Sequence, residues 1–387
     1  MFETLPNATP DPLLALITMY RQDPRDNKID LGVGVYRDAN GHTPIMQAVK
    51  IAEQRLEAGQ DTKAYLGTEG DGEYVELIKQ LIFGDTSPLI AGAQTPGGTG
   101  ALKVTAELYR ATNPNGRIFL GMPTWPNHIP VFESAGIEVV KVPFFDLKTQ
   151  SIDMDAFLSG LADAKTGDAI LLHGCCHNPT GADLNAEQWQ QIADLCNDKG
   201  LLPIVDLAYH GLGDGMAQDL AGARLIFDAV PEGILASSCS KNFGLYRDRV
   251  GAVFAKAVNT DNAQKITGVF GNVARKLYSM PPDHGAAVVR IILSDDALRE
   301  NWATELDVMR NRVNSLRAGL VAAAGDLNLG YVGEQKGMFS TLPLSPEQVT
   351  SLRVDHGVYM AGSGRINIAG LTEAATPQFV EALRAVQ

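Results

Sequence analysis

Positive charge is in short supply: 32 Lys and Arg face 45 Asp and Glu, a formal net charge of -13. That deficit argues against a general affinity for nucleic acid or anionic lipid, because both need a basic face. Any anionic ligand must be met by a few local arginines. Cysteine is scarcer still, with only Cys175, Cys176, Cys196 and Cys239. Two of these are adjacent, and the set fits neither a disulfide framework nor a zinc ligand pattern; they read as reduced thiols. No apolar run approaches the length of a membrane span, and Met1-Phe2-Glu3-Thr4-Leu5-Pro6 has neither the basic start nor the apolar core of a signal peptide. The expected location is the cytoplasm. Internal repeats and low-complexity segments are absent. Gly32-Val33-Gly34-Val35-Tyr36-Arg37 lacks the third glycine of a dinucleotide fingerprint, and Gln94 to Leu102 is not a Walker loop.

What is there is a soluble globular composition, 45% hydrophobic and 20% charged, over 387 residues. Such a chain is too long for one small core, so a large domain with a smaller one packed on it is expected. Asp11-Pro12 is a helix-start signal, followed by an apolar stripe of Leu13, Leu14, Ile17 and Tyr20. With little before it to pack on, this helix must dock elsewhere. The middle of the chain alternates strand candidates (Arg117 to Gly121, Glu138 to Phe144, Ala169 to Gly174, Leu202 to Leu207, Gly233 to Ser238, Val250 to Ala255) with helical stretches such as Gly100 to Tyr109 and Ala186 to Asp198. That alternation predicts an α/β fold, a mostly parallel sheet flanked by helices. One long helix is expected over Leu298 to Ala323. Short strands at Met338 to Leu342, Gly357 to Met360 and Arg365 to Ala369 then suggest a smaller α+β domain. The division expected is 45–300 for the large domain, with 1–44 and 301–387 forming the small one.

The run Ser237-Ser238-Cys239-Ser240-Lys241, ending an apolar stretch and followed by Arg249, places a lysine among hydroxyls and an arginine. This is how an aldehyde cofactor bearing a phosphate would be held. A lysine amine has an ordinary pKa of about 10.4 and is mostly protonated at neutral pH; a Schiff base with pyridoxal phosphate removes that obstacle. Ser238, Ser240 and the Arg249 fork suit a dianionic phosphate. The alternative is an exposed lysine in a polar loop.

Four more segments fall where strands are expected to end, the place where ligands bind in open α/β sheets. Asp206 closes the apolar run Leu202 to Leu207, and a carboxylate there needs a partner such as a protonated pyridine nitrogen; otherwise it caps the next helix. Tyr209, three residues on, can reach a phenolic oxygen. His173-Gly174-Cys175-Cys176-His177-Asn178-Pro179-Thr180-Gly181 is too tightly spaced for a tetrahedral metal site, while Asn178 before proline is held extended. Gln94 to Leu102 opens a helix with glycines, an anion site through its backbone N–H groups. Trp125, in Pro123-Thr124-Trp125-Pro126-Asn127-His128, offers a flat face for a ring or fills a core.

Taken together, QTPGGTGAL (Gln94 to Leu102), PTWPNH (Pro123 to His128), HGCCHNPTG (His173 to Gly181) and SKNFGLYRDRVGA (Ser240 to Ala252) resemble the class I pyridoxal-phosphate aminotransferases, in the aspartate and aromatic-amino-acid branch. The resemblance runs over nearly the whole chain and implies fold type I of the pyridoxal-phosphate transferases. It implies that Lys241 carries the cofactor and shuttles the proton at the substrate's α-carbon. Asp206 would hold the pyridine nitrogen with His128 behind it, Tyr209 and Asn178 the phenolic oxygen, and Trp125 the ring face. Gly98, Thr99, Ser238, Ser240 and Arg249 would bind the phosphate, joined by Tyr65 of the partner subunit in a homodimer. Arg365 would clamp the α-carboxylate, Arg275 would reach across the dimer to a side-chain carboxylate, and Gly34 would contribute backbone contact as the small domain closes.

Aspartate-selective relatives often carry asparagine at the positions matching Ala64 and Met280, which are apolar here. The expectation is therefore use of both dicarboxylic and aromatic donors, with 2-oxoglutarate as acceptor. A strict aspartate aminotransferase, a lyase or decarboxylase using the same cofactor, a non-catalytic amino-acid sensor and a nicotinamide dehydrogenase remain the competing readings.

Overall fold

A computed structural model describes residues 2–5, 12–84 and 86–387. Its centre is a seven-stranded sheet of β1 (Ile90–Pro96), β2 (Arg117–Met122), β3 (Glu138–Pro143), β4 (Ala169–His173), β5 (Leu202–Leu207), β6 (Gly233–Ser238) and β7 (Val250–Lys256). The spatial order is β1-β7-β6-β5-β4-β2-β3. Strands β2 to β6 pair in parallel, whereas β7 is antiparallel to both β6 and β1. The six strands expected from their apolar runs are all present. β1 is additional: Ile-Ala-Gly-Ala-Gln-Thr-Pro has few of the β-branched residues that signal a strand, and it is held by pairing with β7 along its whole length.

Side chains alternate across this sheet as strand geometry requires. Ile118, Leu120, Leu171, Ile204, Ala236 and Val253 enter one core with helices Gly97–Thr112 and Thr260–Leu277. Phe119, Ile170, Leu172, Val205, Leu235 and Phe254 enter the other, under helices Gly72–Phe83, Ala186–Lys199, Met216–Ala229 and Asp283–Ser294. Burial on both faces explains why the central strands read as continuous apolar runs.

The long helix spans Asp296–Ala324, with Asp295 accepting the Leu298 N–H at its start. Its buried residues, including Trp302, Leu306, Met309, Val313, Leu316 and Leu320, recur at the three-to-four spacing of an inward face. Beyond it, Phe339–Thr341 pairs antiparallel with Arg365–Asn367. Ile29–Asp30 pairs in parallel with Val358–Tyr359, so the N-terminal and C-terminal segments meet. Helix Pro12–Gln22 docks here: Leu16 is buried, and the rings of Tyr20 and Tyr359 meet edge-on at 5.3 Å. The expected stripe is only partly covered, because Leu14 is exposed and Leu16 takes the inward place. Asp11 lies outside the described residues. Among the described residues no helix is long and apolar enough to cross a membrane.

Candidate active site

The ends of β1, β2, β4, β5 and β6 converge on one cavity of about 1030 Å³, counting its open mouth. From these ends come Gly98 and Thr99, then Trp125, Asn178, Asp206 with Tyr209, and Ser238 with Ser240 and Lys241. Arg249 completes that wall, and Gly34 and Arg365 face it from the smaller α+β part. Tyr65 and Arg275 are elsewhere.

Asp206 is buried and does not cap a helix; its Oδ2 lies 3.0 Å from His128 Nε2. His128 Nδ1 in turn meets Thr124 Oγ1 at 2.8 Å, and Thr124 Oγ1 meets His173 Nε2 at 3.0 Å. Burial pushes the Asp206 carboxyl up, but the His128 hydrogen bond and the nearby Lys241 bring it below the ordinary carboxylate value. The result is an ionised carboxylate at the floor of a cavity, which requires a cationic partner. Burial also pushes His173 down to about 3, so it stays neutral.

Lys241 is half-buried, with Nζ 4.9 Å from the centre of the Tyr209 ring. Burial lowers its pKa to about 8; Asp206 opposes the shift and Arg249 adds to it. Only the free amine attacks an aldehyde, so capture of pyridoxal phosphate by the cofactor-free protein should accelerate as pH rises through about 8 and then level off. A pKa lower in the folded than in the unfolded chain also means that the unfolded chain binds more protons between about 8 and about 10.4, so the cofactor-free protein gains stability across that window. Stopped-flow capture rates from about pH 6 to about pH 10 check the first point; a profile flat through this range contradicts it.

The phosphate-sized end of the cavity is a cradle of donors. Helix Gly97–Thr112 begins with no side-chain cap, leaving first-turn N–H groups available. Gly97 has φ +73, and a Cβ there would sit 2.6 Å from Arg249 Nη2, so only glycine lets the guanidinium lie against the helix start. Arg249 Nη1 is 3.5 Å from Ser240 Oγ, and the Ser240 N–H donates to Ser238 Oγ at 3.2 Å. Asn178 Oδ1 is buried without a partner, and Trp125 is a half-buried ring on the cavity wall, not a core tryptophan. An ionised carboxylate, an amine, a tyrosine and an uncapped helix start with an arginine match the pyridine nitrogen, aldehyde, phenolic oxygen and phosphate of pyridoxal phosphate.

Arg365 donates from Nη2 to the Gly32 carbonyl at 2.7 Å, and its guanidinium lies 4.7 Å from the centre of the Phe339 ring. Its Nε is buried without a partner. Burial lowers its pKa, with Tyr209 opposing, yet among the described residues no carboxylate is bonded to it. Such a cation is ready for a substrate carboxylate.

Tyr65 is 90% exposed, and Arg275, also exposed, donates to Ser279 Oγ at 2.7 Å. The two belong to one surface region, because the Leu66 N–H contacts Met280 Sδ at 2.9 Å. Several cavity residues were invisible to sequence reading. Leu13, Val33, Val35 and Phe339 line the cavity, but apolar side chains carry no chemical signature. The Cys175, Cys176 and Asp219 ligand atoms lie within 4.8 Å of one another. Asp219 is engaged by the N–H groups of Gly211, Gly213 and Asp214. The Cys176 thiol is raised by its hydrogen bond with Cys175 and by burial, and Cys175, despite that same bond, is carried up to about 11. Protonated thiols are poor metal ligands.

Residues 26–383 match the family model described as aminotransferase class I and II. The chain is 51% identical to a tyrosine aminotransferase of Rhizobium meliloti (strain 1021), over 97% of each chain. It is 43% identical to an aspartate aminotransferase of Escherichia coli (strain K12), over 100% of each. Among solved structures, an aromatic-amino-acid aminotransferase from Burkholderia pseudomallei, covalently bound to pyridoxal phosphate, superposes with a TM-score of 0.97 at 38% identity, covering 100% of this chain and 99% of that one. With its fold, its cavity and these likenesses in agreement over the whole length, the chain belongs to the class I and II aminotransferases, pyridoxal-phosphate enzymes of fold type I.

Proposed function

We propose that the protein transfers the amino group of aromatic amino acids (Phe, Tyr, Trp) and of aspartate or glutamate to 2-oxoglutarate or oxaloacetate in a ping-pong cycle. One observation carries this reading: a single cavity joins Lys241, an ionised Asp206 and an Arg365 that has no carboxylate partner among the described residues. Relatives named for tyrosine and for aspartate support the dual range.

When bound, pyridoxal phosphate supplies a cationic ring that accepts the electron pair left at the substrate's α-carbon. Asp206, oriented by His128, would keep that ring nitrogen protonated. Tyr209 and Asn178 would hold the phenolic oxygen, and Trp125 would offer its ring to the cofactor. Gly98, Thr99, Ser238, Ser240 and Arg249 hold the phosphate. Arg365 fixes the α-carboxylate beside Gly34, which places the α-proton within reach of the Lys241 amine. The Lys241 amine would take that proton from the α-carbon and hold it for return within the cavity.

The reading extends to a homodimer with shared sites, in which Tyr65 of the partner subunit joins the phosphate and Arg275 of the partner subunit meets a side-chain carboxylate. The exposure of both residues in one surface region supports it. Residues 45–300 are taken as the cofactor domain, and 1–44 with 301–387 as the smaller domain that closes over the substrate. The pairing of Ile29–Asp30 with Val358–Tyr359 supports that grouping. Four free, buried thiols suit the reducing cytoplasm.

Initial rates with donor and 2-oxoglutarate both varied are expected to give parallel double-reciprocal lines for aspartate and for phenylalanine alike. Intersecting lines, or release of ammonia or carbon dioxide in place of glutamate, contradict the reading.

A further inference from the structure

Arg317, in the long helix, is 2% exposed and has no bonded carboxylate among the described residues. A buried cation of this kind is costly unless its donors are satisfied. Here all five N–H groups are used, and every acceptor lies in one short segment. Nε donates to the Gly337 carbonyl at 3.0 Å; Nη1 donates to the Val332 carbonyl at 2.8 Å and to Ser340 Oγ at 2.9 Å. Nη2 reaches the carbonyls of Gly337 at 2.7 Å, Phe339 at 2.5 Å and Lys336 at 3.1 Å. Burial lowers the guanidinium pKa to about 10, opposed by Cys176 and Asp183, so it remains charged at neutral pH.

The held segment ends in the cavity. The Phe339 ring lies beneath the Arg365 guanidinium, 4.7 Å from its centre, and edge-on to Tyr209 at 5.8 Å. A Cβ on Gly34 would be 3.1 Å from the tip of that ring. Among the described residues Arg365 has one hydrogen bond to protein, through Gly32, and the Phe339 ring is its second support. The same segment is tied to the loop that delivers Asn178, through the Lys336 N–H to the Gly181 carbonyl at 2.7 Å and Thr341 Oγ1 to the Pro179 carbonyl at 2.9 Å.

We infer that Arg317 is a positioning residue for substrate binding: by fixing the 332–340 segment it seats the Phe339 ring under Arg365 and so sets the carboxylate clamp. This rests on the aminotransferase reading of the cavity. Lysine at this position cannot replace the fork, since a single ammonium cannot reach carbonyls spread around a planar guanidinium.

The probe is 3-phenylpropanoate, which has the phenylalanine skeleton without the amine and therefore binds without reacting. Its dissociation constant is read from the cofactor absorption of the holoenzyme, and pyridoxal-phosphate affinity is titrated separately. Arg317→Met and Arg317→Lys are expected to weaken the probe about tenfold or more while cofactor affinity changes less than about threefold. In a Phe339→Leu background, Arg317→Met should weaken the probe less than about threefold further, because the two residues act through one path. An unchanged dissociation constant, an equal loss of cofactor affinity, or full multiplicative losses in the double variant overturns the inference. Should Arg317→Met fail to accumulate folded, Phe339→Leu decides alone: an unchanged dissociation constant shows that the ring does not support the clamp. A wild-type protein that takes up the cofactor but does not bind the probe overturns the reading of the cavity itself, and this inference with it.

Discussion

Lys241→Ala is expected to lower transamination about 10⁴-fold or more while leaving a folded protein that still takes up pyridoxal phosphate. A positioned general base is typically worth roughly 10² to 10⁴ in rate, and the covalent hold on the cofactor is lost with the same side chain. Neither His128 nor Tyr209 can stand in. His128 is engaged by Asp206 and Thr124, and burial pushes the Tyr209 hydroxyl far above neutrality, with Asp206 adding to the shift and Arg365 opposing it. The fold should tolerate the change, since the lysine's lowered pKa means that burial already works against its charged form. Cofactor uptake should persist through Asp206, Arg249 and the start of helix Gly97–Thr112. Turnover with phenylalanine and aspartate, measured beside the cofactor's absorption, checks both halves. Near-normal turnover removes Lys241 from the role proposed for it.

Arg275→Asp should separate the two substrate classes. If this arginine meets a side-chain carboxylate across a dimer, reversing its charge costs aspartate and glutamate about 2–5 kcal/mol of transition-state binding. That corresponds to about 30-fold to several thousand-fold in kcat/KM. Phenylalanine has no carboxylate to lose and should change less than about threefold. The local structure permits this separation. Arg275 is exposed on the last turn of helix Thr260–Leu277 and bonded only to Ser279 Oγ among the described contacts, so the substitution leaves no buried group unpaired. Met280 and Ala64, on the same surface region, add no polar group that would reject an aromatic ring. Equal losses for both classes refute the assignment.

The cavity's polar side was legible in the sequence because its chemistry is unusual: a carboxylate ending the apolar run of β5, a lysine among hydroxyls after β6, a glycine-rich helix start. Only the carboxylate is costly in a plain structural role; the lysine and the glycine-rich start became legible through their company with the other motifs. β1 did not, because Ile90 to Pro96 lacks the β-branched pattern and gains its strand character from pairing with β7. Phe339 and Val33 did not either, since an apolar residue lining a cavity and one filling a core look alike in sequence. Arg317 is the sharpest case. In an arginine-rich helix it reads as one more surface cation, and only the fold brings the carbonyls of Val332, Lys336, Gly337 and Phe339 around it. Tyr65 and Arg275 were found by resemblance alone, because their proposed site belongs to another copy of the chain.

The most direct test of the account is the absorption of the purified holoenzyme during half-reactions with L-aspartate and L-phenylalanine in separate cuvettes, each then chased with 2-oxoglutarate. Loss of the Lys241-bound cofactor band with both donors, and its return with the keto acid, is the predicted result. A band that responds to neither donor, or that is lost and does not return with the keto acid, contradicts the assignment of this cavity to transamination.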